Sequence, residues 1–552
     1  MAKLEPKLFY TIRHYSKEQC MKDIIAGIIV AIIALPLSIA LAIASGVGPE
    51  NGIYTAIIAG FVISFLGGSR VQIAGPTAAF ASIVAGIVAV NGMSGLATAT
   101  IIAGILLVLM GIFKLGNLIS FIPQTITVGF TSGIAVTIAI GQIKDFAGLT
   151  YPPGTPTIET VEKVEAIIHN ISTINYTGLA IGVLALVILI VCGKFMKKIP
   201  ASLIAVIVTA AVVKIFELDV VNTIGSVYPN LQAGLPTFVA PDLSWGMIQK
   251  VLPDAVTIAV LAGIESLLSC VVADGMIGSK HNSNMELVAQ GAGNAASALF
   301  GGIPATGAIA RTAANIKNGG RTPVAGMVHA IVLLLVLISL MPLAKMIPMP
   351  TIAAILFIVA YNMSEMKKFA SICKTSPKSD IFVLILTFAL TVIFDLVVAI
   401  AVGMVLAAIL FMKRMADETQ VTGWKYVDDE SADTDRIELK QVPKNTLVYE
   451  ISGPMFFGAS NKLLDILLDI EGKNAVVLRM RGVPALDATA LGSLQEIYKK
   501  MKKNDVTLIL SHVNQQPMSV LQKSGFADKV GAENICPNID AALARASQLC
   551  KQ

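Results

Sequence analysis

Long apolar segments separated by short charged loops occupy the first three quarters of the chain. From Val71 to Phe113 there is no Asp, Glu, Lys or Arg, and at 1.5 Å per residue this run is long enough for two membrane spans joined by a turn at 91–95. The same pattern, followed along the chain, predicts fourteen spans, at residues 24–46, 52–68, 71–90, 97–113, 118–142, 175–193, 199–217, 253–273, 286–300, 304–316, 322–341, 348–363, 381–394 and 396–412.

Two of these segments are interrupted by glycine and proline and continue with small, helix-forming residues. One is Gln72-Ile-Ala-Gly-Pro-Thr-Ala-Ala-Phe80, and the other extends from Phe300 to Asn315. Each predicts a helix that begins partway across the membrane, with unpaired N–H groups and the positive end of its dipole near the midplane. The alternative is that the interruptions mark ordinary loops, but loops in this chain usually carry charge and these stretches contain only Arg311. We therefore expect a central anion site.

The two interrupted segments hold corresponding places in the two halves of the membrane region. Seven predicted spans precede the long loop at 218–252 and seven follow it, and the interrupted segment is third in each set. Because seven is odd, two such repeats, at about 24–217 and 253–414, must be inverted relative to each other in the membrane. The sequence thus predicts an α-helical polytopic membrane protein built as a seven-plus-seven inverted repeat.

Composition excludes several classes of protein. With 55% hydrophobic and 14% charged residues over 552 positions and a mean hydropathy of +0.76, the chain is too apolar for a soluble protein of this size. Residues 1–23 are charged and mixed, which predicts a short cytosolic lead and no cleavable signal peptide. The six cysteines form no Cys-x-x-Cys pair, so we expect neither disulfides nor a metal site.

Charge placement predicts the orientation of the chain. The predicted loops on the amino-terminal side hold fourteen Lys and Arg residues and those on the other side about five, so we expect both termini in the cytoplasm and the spans in the plasma (cell inner) membrane. This asymmetry explains the net charge of +5 better than binding of nucleic acid does. The chain has no nucleotide-binding Gly-x-x-x-x-Gly-Lys-Ser/Thr sequence. We expect a gradient-driven transporter rather than an enzyme, without a cofactor.

The end of the chain has a soluble composition. Residues 415–436 are rich in Asp and Glu and predict a linker, and residues 437–552 predict a small α/β domain with a mostly parallel sheet. The predicted strands and helices are Thr446–Ile451, a helix at about 460–469, Ala475–Arg479, a helix from about Ala488, Thr507–Leu510 and a helix beyond Pro517.

Glu265 is the first candidate for ion coupling. It lies in an otherwise uncharged span, with Ser269 one turn further along the same face. An acid at that depth is costly when ionised and unpaired, which suits a proton or cation carrier. The alternative is a structural acid tied to backbone donors or to Arg311.

Other polar residues in the spans allow two interpretations. Arg311 is either offered to the substrate or held in an ion pair with Glu265 or Glu286. Glu286, Gln290 and Asn294 share one helix face, and such a stripe serves as interhelical glue as often as it forms a binding site.

Two short motifs lie in the first part of the chain, Pro49-Glu-Asn-Gly-Ile-Tyr-Thr-Ala56 and, after it, Gly67-Gly-Ser-Arg70. They resemble the signature of the sulfate permease (SulP) family, which includes relatives of pendrin and prestin, with Asn51 and Ile53 in place of the usual Tyr and Leu. The segments 72–80, 284–294 and 301–322 are also similar. The carboxy-terminal part resembles a STAS domain.

The resemblance implies a fold, an assembly and a site. It implies core and gate domains as in uracil-permease-like transporters, an elevator-like movement, a homodimer, and an anion bound between the third and tenth helices. The substrate-binding residues carried over are Gln72, Thr77, Ala78, Ala79, Phe80, Gly307, Ala308, Ile309 and Arg311.

The same resemblance suggests a regulatory residue in the STAS domain. Ala488 and Thr489 stand where related domains carry a phosphorylatable Ser, so Thr489 is the candidate regulatory residue and a cytosolic protein the candidate partner. The alternative is a turn in which Asp487 and Thr489 act as helix caps.

The function predicted from these residues is proton-coupled uptake of a small anion. Sodium-coupled bicarbonate members resemble this chain but have an Asp at the position of Glu265 and no Arg at 311, which favours H+ coupling and sulfate or a C4-dicarboxylate here. The rival is a bicarbonate symporter coupled to Na+ through Glu265 and Ser269. A membrane sensor or scaffold acting through the STAS domain is a third hypothesis, and Arg311 argues against a permease for uncharged nucleobases.

Overall fold

The computed structural model describes residues 4–13, 15–117, 123–195, 200–229, 234–394, 396–423, 442–457 and 472–550. The chain forms two compact units, Met1–Met404 and Val405–Gln552. The first contains the apolar helices and two short strands, and the second contains a five-stranded sheet with its helices.

Helices coincide with the predicted spans, with shifted ends, and four short ones (α1, α6, α9 and α15) were not predicted. The helices are Lys7–Ile12 (α1), Lys17–Ala44 (α2), Pro49–Leu66 (α3), Ala81–Ile112 (α4), Gln124–Ala147 (α5), Thr160–His169 (α6), Tyr176–Phe195 (α7), Ala201–Ile215 (α8), Ile224–Val227 (α9), Trp245–Ile277 (α10), Ser283–Leu299 (α11), Ile309–Lys317 (α12), Val324–Ala344 (α13), Met349–Met363 (α14), Met366–Thr375 (α15), Lys378–Ile393 (α16) and Leu396–Glu418 (α17).

Eight helical segments within the described residues are long and apolar enough to cross a membrane, and two shorter apolar helices, Ala201–Ile215 and Val324–Ser339, accompany them. Helix α4 contains the predicted turn, because Gly92 adopts φ 66° and ψ −173° inside it and so separates two helical stretches. The structure is thus a helical membrane protein, and the count of fourteen spans stays a prediction.

The helices of the first unit pack in two groups. Helices α2, α3 and α4 pack with α10, α11, α12 and α13, while α5, α7 and α8 pack with α14 and α16. Each group therefore takes helices from both halves of the chain, as expected for two repeats that intertwine.

A close crossing of α4 and α11 holds the first group together. A Cβ atom added to Gly104 would lie 2.7 Å from the carbonyl oxygen of Gly291, and one added to Gly291 would lie 2.4 Å from the carbonyl oxygen of Gly104. The two backbones approach this closely only because neither residue has a side chain, which is the usual basis of tight helix packing in membranes.

Two three-residue strands lie between the helices of the first group. Strand Ala74–Pro76 (β1) pairs antiparallel with Ala305–Gly307 (β2), and Gly75 lies opposite Thr306 at the centre of the register. Equivalent segments of two inverted repeats run in opposite directions, so antiparallel pairing agrees with the predicted inversion.

The second unit is a sheet of strand order β3-β4-β5-β6-β7. Its first pair is antiparallel and the other three pairs are parallel. The strands are Gln420–Gly423 (β3), Thr446–Ser452 (β4), Ala475–Gly482 (β5), Thr507–Ser511 (β6) and Ile535–Cys536 (β7), and the helices are Ala488–Lys503 (α18), Gln515–Lys523 (α19), Phe526–Val530 (α20) and Ile539–Leu549 (α21).

Of the predictions for this region, the linker is replaced in part by regular structure, and one helix cannot be compared. The predicted linker at 415–436 begins inside α17 and then contains β3, which becomes an edge strand by pairing with β4. The predicted helix at 460–469 lies outside the described residues. Strands β4, β5 and β6 stand where the sequence predicts strands.

Successive side chains of β5 point to opposite faces of the sheet, and both faces are apolar. Val476, Leu478 and Met480 pack in one apolar cluster, while Ala475 and Val477 pack in another on the opposite face. A strand buried on both faces is typical of a parallel sheet covered by helices on each side.

The sequence left as an alternative a turn in which Asp487 and Thr489 both cap α18, and the structure shows the cap at Asp487. The side chain of Asp487 accepts a hydrogen bond of 2.8 Å from the backbone N–H of Ala490, so Asp487 is the N-cap. Thr489 lies in the first turn with its side chain exposed.

We expect Gly104→Ala to destabilise the first unit by about 1–3 kcal/mol, because the added methyl group overpacks the crossing with α11. The measurement is the free energy of unfolding in a detergent titration. Gly86→Ala is the matched control on the same helix, since a Cβ atom there meets no heavy atom within 4 Å. Equal stabilities of the two variants would contradict the crossing.

Candidate functional site

Polar side chains of neighbouring helices satisfy the outer edges of the β1–β2 ladder. The backbone N–H of Ala305 donates to Asn294 Oδ1 at 2.8 Å, and Asn294 Nδ2 donates to the carbonyl oxygen of Ala305 at 2.9 Å. The backbone N–H of Gly307 donates to Ser266 Oγ at 3.0 Å. An unpaired backbone group is costly inside a membrane protein, so these side chains make an isolated two-stranded ladder stable there.

The ladder places two helix starts near each other. Thr77 follows β1 and caps a short 3₁₀ turn, Ala78–Phe80, that leads into α4. Ala308 follows β2 and begins α12 without a side-chain cap. The first amides of a helix have no acceptor within it, so both starts present N–H groups and positive dipole ends to the same region.

The two helix starts differ in accessibility. Ala78, Ala79 and Phe80 are buried, and the turn they form packs against α5 of the second helix group. Ile309 at the start of α12 is 44% exposed, and Ala308 is partly exposed. Most residues of the predicted substrate site are therefore buried, with partial exposure at Thr77 and Ala308 and the greatest exposure at Ile309.

Arg311 brings a full positive charge to this region. Its side chain is 3% exposed, and Nη2 donates to the carbonyl oxygen of Pro76 at 2.9 Å. Nη1 is buried and has no hydrogen-bond partner among the described residues. Within that part of the chain Arg311 forms no ion pair with Glu265 or Glu286, so the ion-pair alternative finds no support.

Gly75 makes room for the guanidinium group of Arg311. A Cβ atom added to Gly75 would lie 2.2 Å from Nη1. The guanidinium group therefore lies against the bare backbone of β1, beside the helix starts. A buried donor that carries charge, next to helix N-termini, is a suitable anion site.

Glu265 faces the ladder from α10 and is partly accessible. It accepts a hydrogen bond of 2.9 Å from Thr306 Oγ1, and the hydroxyl of Thr77 also interacts with it. The same Thr306 hydroxyl has a second acceptor, the carbonyl oxygen of Gly307 at 3.3 Å. Because a hydroxyl can donate or accept, Thr306 can serve Glu265 whether or not Glu265 carries a proton.

Unlike Glu265, which is partly accessible and bound by hydroxyl groups, Glu286 is surrounded by N–H donors. It is fully buried and accepts hydrogen bonds from the backbone N–H groups of Gly68 and Ser69 at 2.9 and 3.1 Å, and from the amides of Gln72 and Gln290 at 2.8 and 2.9 Å. All four partners are N–H donors, which suit only an ionised carboxylate. In the polar stripe of α11, Glu286 and Asn294 thus join different segments of the protein.

Gln72 and Ser269 also bind protein groups. Besides donating to Glu286, Gln72 accepts a contact of 3.0 Å from Cys270 Sγ through its Oε1. Ser269 Oγ donates to Thr312 Oγ1 at 3.4 Å, and Thr312 Oγ1 accepts from the backbone N–H of Ile73 at 3.0 Å. Both residues hold β1 in place through these contacts.

Sequence reasoning missed Thr306 and Ser266. Both are small hydroxyl residues without charge, and such residues are common in apolar helices for packing alone. Their positions in the sequence could have indicated them, because Thr306 lies inside the interrupted segment and Ser266 is adjacent to Glu265.

Comparison with known proteins gives the class. Residues 21–387 match the sulfate permease family and residues 436–542 match the STAS domain. The chain is 42% identical over 535 residues to the putative sulfate transporter YvdB of Bacillus subtilis, covering 95% of this chain and 98% of that protein. It is 30% identical over 541 residues to the bicarbonate transporter BicA of a Picosynechococcus species, covering 95% and 94%.

Solved structures show the same fold. The overall structure of SLC26A9 superposes with a TM-score of 0.84 at 19% identity and covers 97% of this chain and 92% of that chain. The transmembrane domain of a cyanobacterial BicA superposes with a TM-score of 0.64 at 30% identity, covering 70% and 98%.

The family match, the relatives and the fold together define a multi-pass membrane transporter of anions, not an enzyme. The chain belongs to the sulfate permease (SulP) family and ends in a STAS domain.

The two carboxylates should respond differently to loss of charge. We expect Glu286→Gln to destabilise the protein by about 2–4 kcal/mol, because the new NH2 group faces N–H donors that lose their acceptor. Glu265→Gln should change the free energy of unfolding by less than about 1 kcal/mol, since the hydroxyl of Thr306 can reorient. Unfolding of both variants and the parent in a detergent titration measures this; equal losses would contradict the distinction.

Proposed function

We propose that this protein is a secondary active transporter that takes up sulfate or a C4-dicarboxylate together with protons, by an elevator-like movement. The observation that carries the proposal is Arg311, whose Nη1 is buried beside two helix starts and has no hydrogen-bond partner in the part of the chain that the structure describes. A positive charge so placed without a counterion favours an anion as its partner. Several relatives, including YvdB, are named as sulfate transporters or putative sulfate transporters.

In the proposed bound state the anion lies between the two helix starts. Thr77 and the amides of Ala78, Ala79 and Phe80 contact it from one side, and Gly307, Ala308, Ile309 and Arg311 contact it from the other. Gln72 contributes from behind, through the contacts that hold β1. In this proposal the anion first meets the more exposed start of α12, at Ala308 and Ile309, and the buried turn Ala78–Phe80 completes the site when the first helix group moves relative to α5.

Glu265 supplies the coupling in this proposal. An uncompensated charge near the centre of the bilayer costs roughly 3 kcal/mol on insertion scales, so movement is easiest when the charges in the moving group cancel. A proton on Glu265 removes one negative charge when the anion arrives. The two acceptors of the Thr306 hydroxyl, Glu265 and the carbonyl oxygen of Gly307, support both protonation states.

A second candidate function is sodium-coupled uptake of bicarbonate. Its support is the 30% identity to BicA over almost the whole chain and the cluster of oxygen atoms formed by Glu265, Thr306 and Thr77, since oxygen is the ligand that hard cations prefer. Ser269 would be the further ligand, although its hydroxyl already donates to Thr312.

The cellular setting is also proposed. The excess of Lys and Arg in one set of loops supports a plasma-membrane protein with both termini in the cytoplasm. We expect a homodimer and a cytosolic protein partner for the STAS domain, with the exposed Thr489 as its regulatory position. A pure sensor acting through the STAS domain would show no flux after reconstitution.

We expect proteoliposomes containing the parent protein to accumulate radiolabelled sulfate or succinate under an inward proton gradient. Glu265→Gln should lose the proton-driven component, because an amide cannot take up the coupled proton. Bicarbonate under an inward sodium gradient is assayed in parallel.

Sodium-driven bicarbonate uptake without uptake of sulfate or succinate would overturn the proposed function in favour of the second candidate. Proton-driven uptake that persists in Glu265→Gln would remove Glu265 from the coupling step while leaving the substrate in place.

Arg311→Gln should bind anion roughly tenfold to a hundredfold more weakly than the parent, because a charged hydrogen bond contributes about 1.5–3 kcal/mol. Its fold should persist, since among the described residues Arg311 donates a single hydrogen bond, to the carbonyl oxygen of Pro76. The unfolding temperature of the variant without anion reports its fold, and the rise in that temperature on addition of sulfate or succinate reports anion binding. A variant that unfolds without anion, or one that binds as the parent does, would contradict this role.

A further inference from the structure

Helix α15 is a separate element between two apolar helices. Glu365, which precedes it, adopts the left-handed conformation with φ 42° and ψ 39°, so the helical path of α14 does not continue into α15. Pro377 then separates α15 from α16. The ten residues of α15 therefore form their own helix, in a loop that the distribution of Lys and Arg predicts on the cytoplasmic side.

One face of α15 packs firmly on the second helix group. Ile372 is buried in a cluster with Val128 of α5 and Leu384 of α16, and Phe369 packs against the same cluster. The rings of Phe369 and Phe388 meet edge to face, with their centroids 5.6 Å apart. These contacts fix α15 against α5 and α16, so the side chains on its other faces are held in defined positions.

Another face of α15 is basic. Lys367 and Lys374 are seven positions apart, which places them on one face of the helix, and both are exposed. Lys378, just beyond Pro377, is exposed at the start of α16. None of these three lysines forms a salt bridge with a residue that the structure describes.

Neighbouring acids do not cancel this charge. Residues 361–382 contain four lysines and two acids, Glu365 and Asp380. Glu365 already pairs with the fourth lysine, Lys368, at 3.0 Å, and Asp380 accepts a hydrogen bond of 3.3 Å from the hydroxyl of Ser379. The basic face is therefore suited to an anionic partner from outside this segment.

Large apolar side chains are exposed around the same helix. Met366 at the start of α15 is 62% exposed, Tyr361 in the last turn of α14 is 66% exposed, and Phe382 near the start of α16 is 55% exposed. Exposed aromatic and apolar groups beside lysines are typical of the level where lipid headgroups meet acyl chains. A soluble anion would account for the lysines alone, whereas a lipid accounts for both sets of side chains.

We propose that α15 and the start of α16 form a binding site for an anionic phospholipid of the cytoplasmic leaflet. The phosphate of the lipid lies against Lys367, Lys374 and Lys378. Met366 contacts the acyl chains next to the headgroup. Anionic lipids give the cytoplasmic leaflet a negative surface potential, and each lysine near that surface adds to the attraction.

The site belongs to the second helix group, because α15 packs on α5 and α16. In the proposed transport cycle the first helix group moves relative to α5, so the bound lipid anchors the group against which the movement occurs. The lipid site does not depend on which anion is transported or on the roles of Arg311 and Glu265.

Native mass spectrometry of the purified full chain in detergent micelles tests the site. The protein is titrated with phosphatidylglycerol and, separately, with phosphatidylcholine of the same acyl chains, and the Kd of the first bound lipid is measured. The parent should bind phosphatidylglycerol more tightly. The double variant Lys367→Gln/Lys374→Gln should bind phosphatidylglycerol roughly thirtyfold more weakly, at about fivefold for each lysine, with binding of phosphatidylcholine unchanged.

The matched control is Lys499→Gln/Lys503→Gln, which removes two exposed lysines from one face of α18 in the second unit and changes the net charge by the same amount. Equal weakening in the two double variants, or no weakening in Lys367→Gln/Lys374→Gln, overturns the inference. Displacement of phosphatidylglycerol by an equal concentration of glycerol phosphate would show that the acyl chains contribute nothing, and would overturn the assignment to a lipid.

A second measurement locates the lipid in a bilayer. Proteoliposomes are prepared with phosphatidylglycerol that carries a photoreactive group in its acyl chain near the headgroup, and the adducts are mapped by peptide mass spectrometry. Adducts should concentrate in residues 361–382 of the parent and decrease in Lys367→Gln/Lys374→Gln. Equal labelling of this segment by photoreactive phosphatidylcholine, or unchanged labelling in the variant, would contradict the proposed site.

Discussion

The rest of the membrane unit depends on the short ladder of β1 and β2, in which three pairs of residues lie antiparallel among the helices. Strands inside a bilayer are tolerated only when every N–H and C=O group finds a partner. The polar residues of the surrounding helices meet that requirement: Asn294 on one edge, Ser266 on the same strand, and Thr312 beside Ile73. Because these side chains fix the ladder, they also fix the positions of the two helix starts that follow β1 and β2.

The same constraint separates two acids that look alike in the sequence. Glu286 and Glu265 both lie in apolar helices, yet one is surrounded by four N–H donors and the other by hydroxyl groups. N–H donors hold a carboxylate in one state, whereas hydroxyl groups adapt to either. The two carboxylates thus differ in what their hydrogen-bond partners can do as well as in burial.

Much of the fold was predictable because it depends on local pattern. Apolar runs located the helices, and the glycine and proline interruptions located the two broken helices and their corresponding places in the halves. The positions of Arg311 and Glu265 followed from the rarity of charge in such runs. Other features were not predictable, because no local pattern encodes contacts between distant segments. These features are the pairing of β1 with β2, the contact of Thr306 with Glu265, and the contacts of Gln72 with Glu286 and Cys270, which are 214 and 198 residues away in the sequence. The edge strand β3 was also missed, because the acidic composition of 415–436 predicts a linker, whereas the strand forms by pairing with β4.

Gly75 has a consequence for how such a site can be transferred or altered. The guanidinium group of Arg311 occupies the space that any side chain at position 75 would fill. Grafting the arginine alone into a related chain with Ala at the matching position would therefore move the charge away from the strand and from both helix starts. The proposed anion site therefore depends on the absence of a side chain at position 75 as much as on Arg311, and a design that copies only the arginine would not reproduce the position of its guanidinium group.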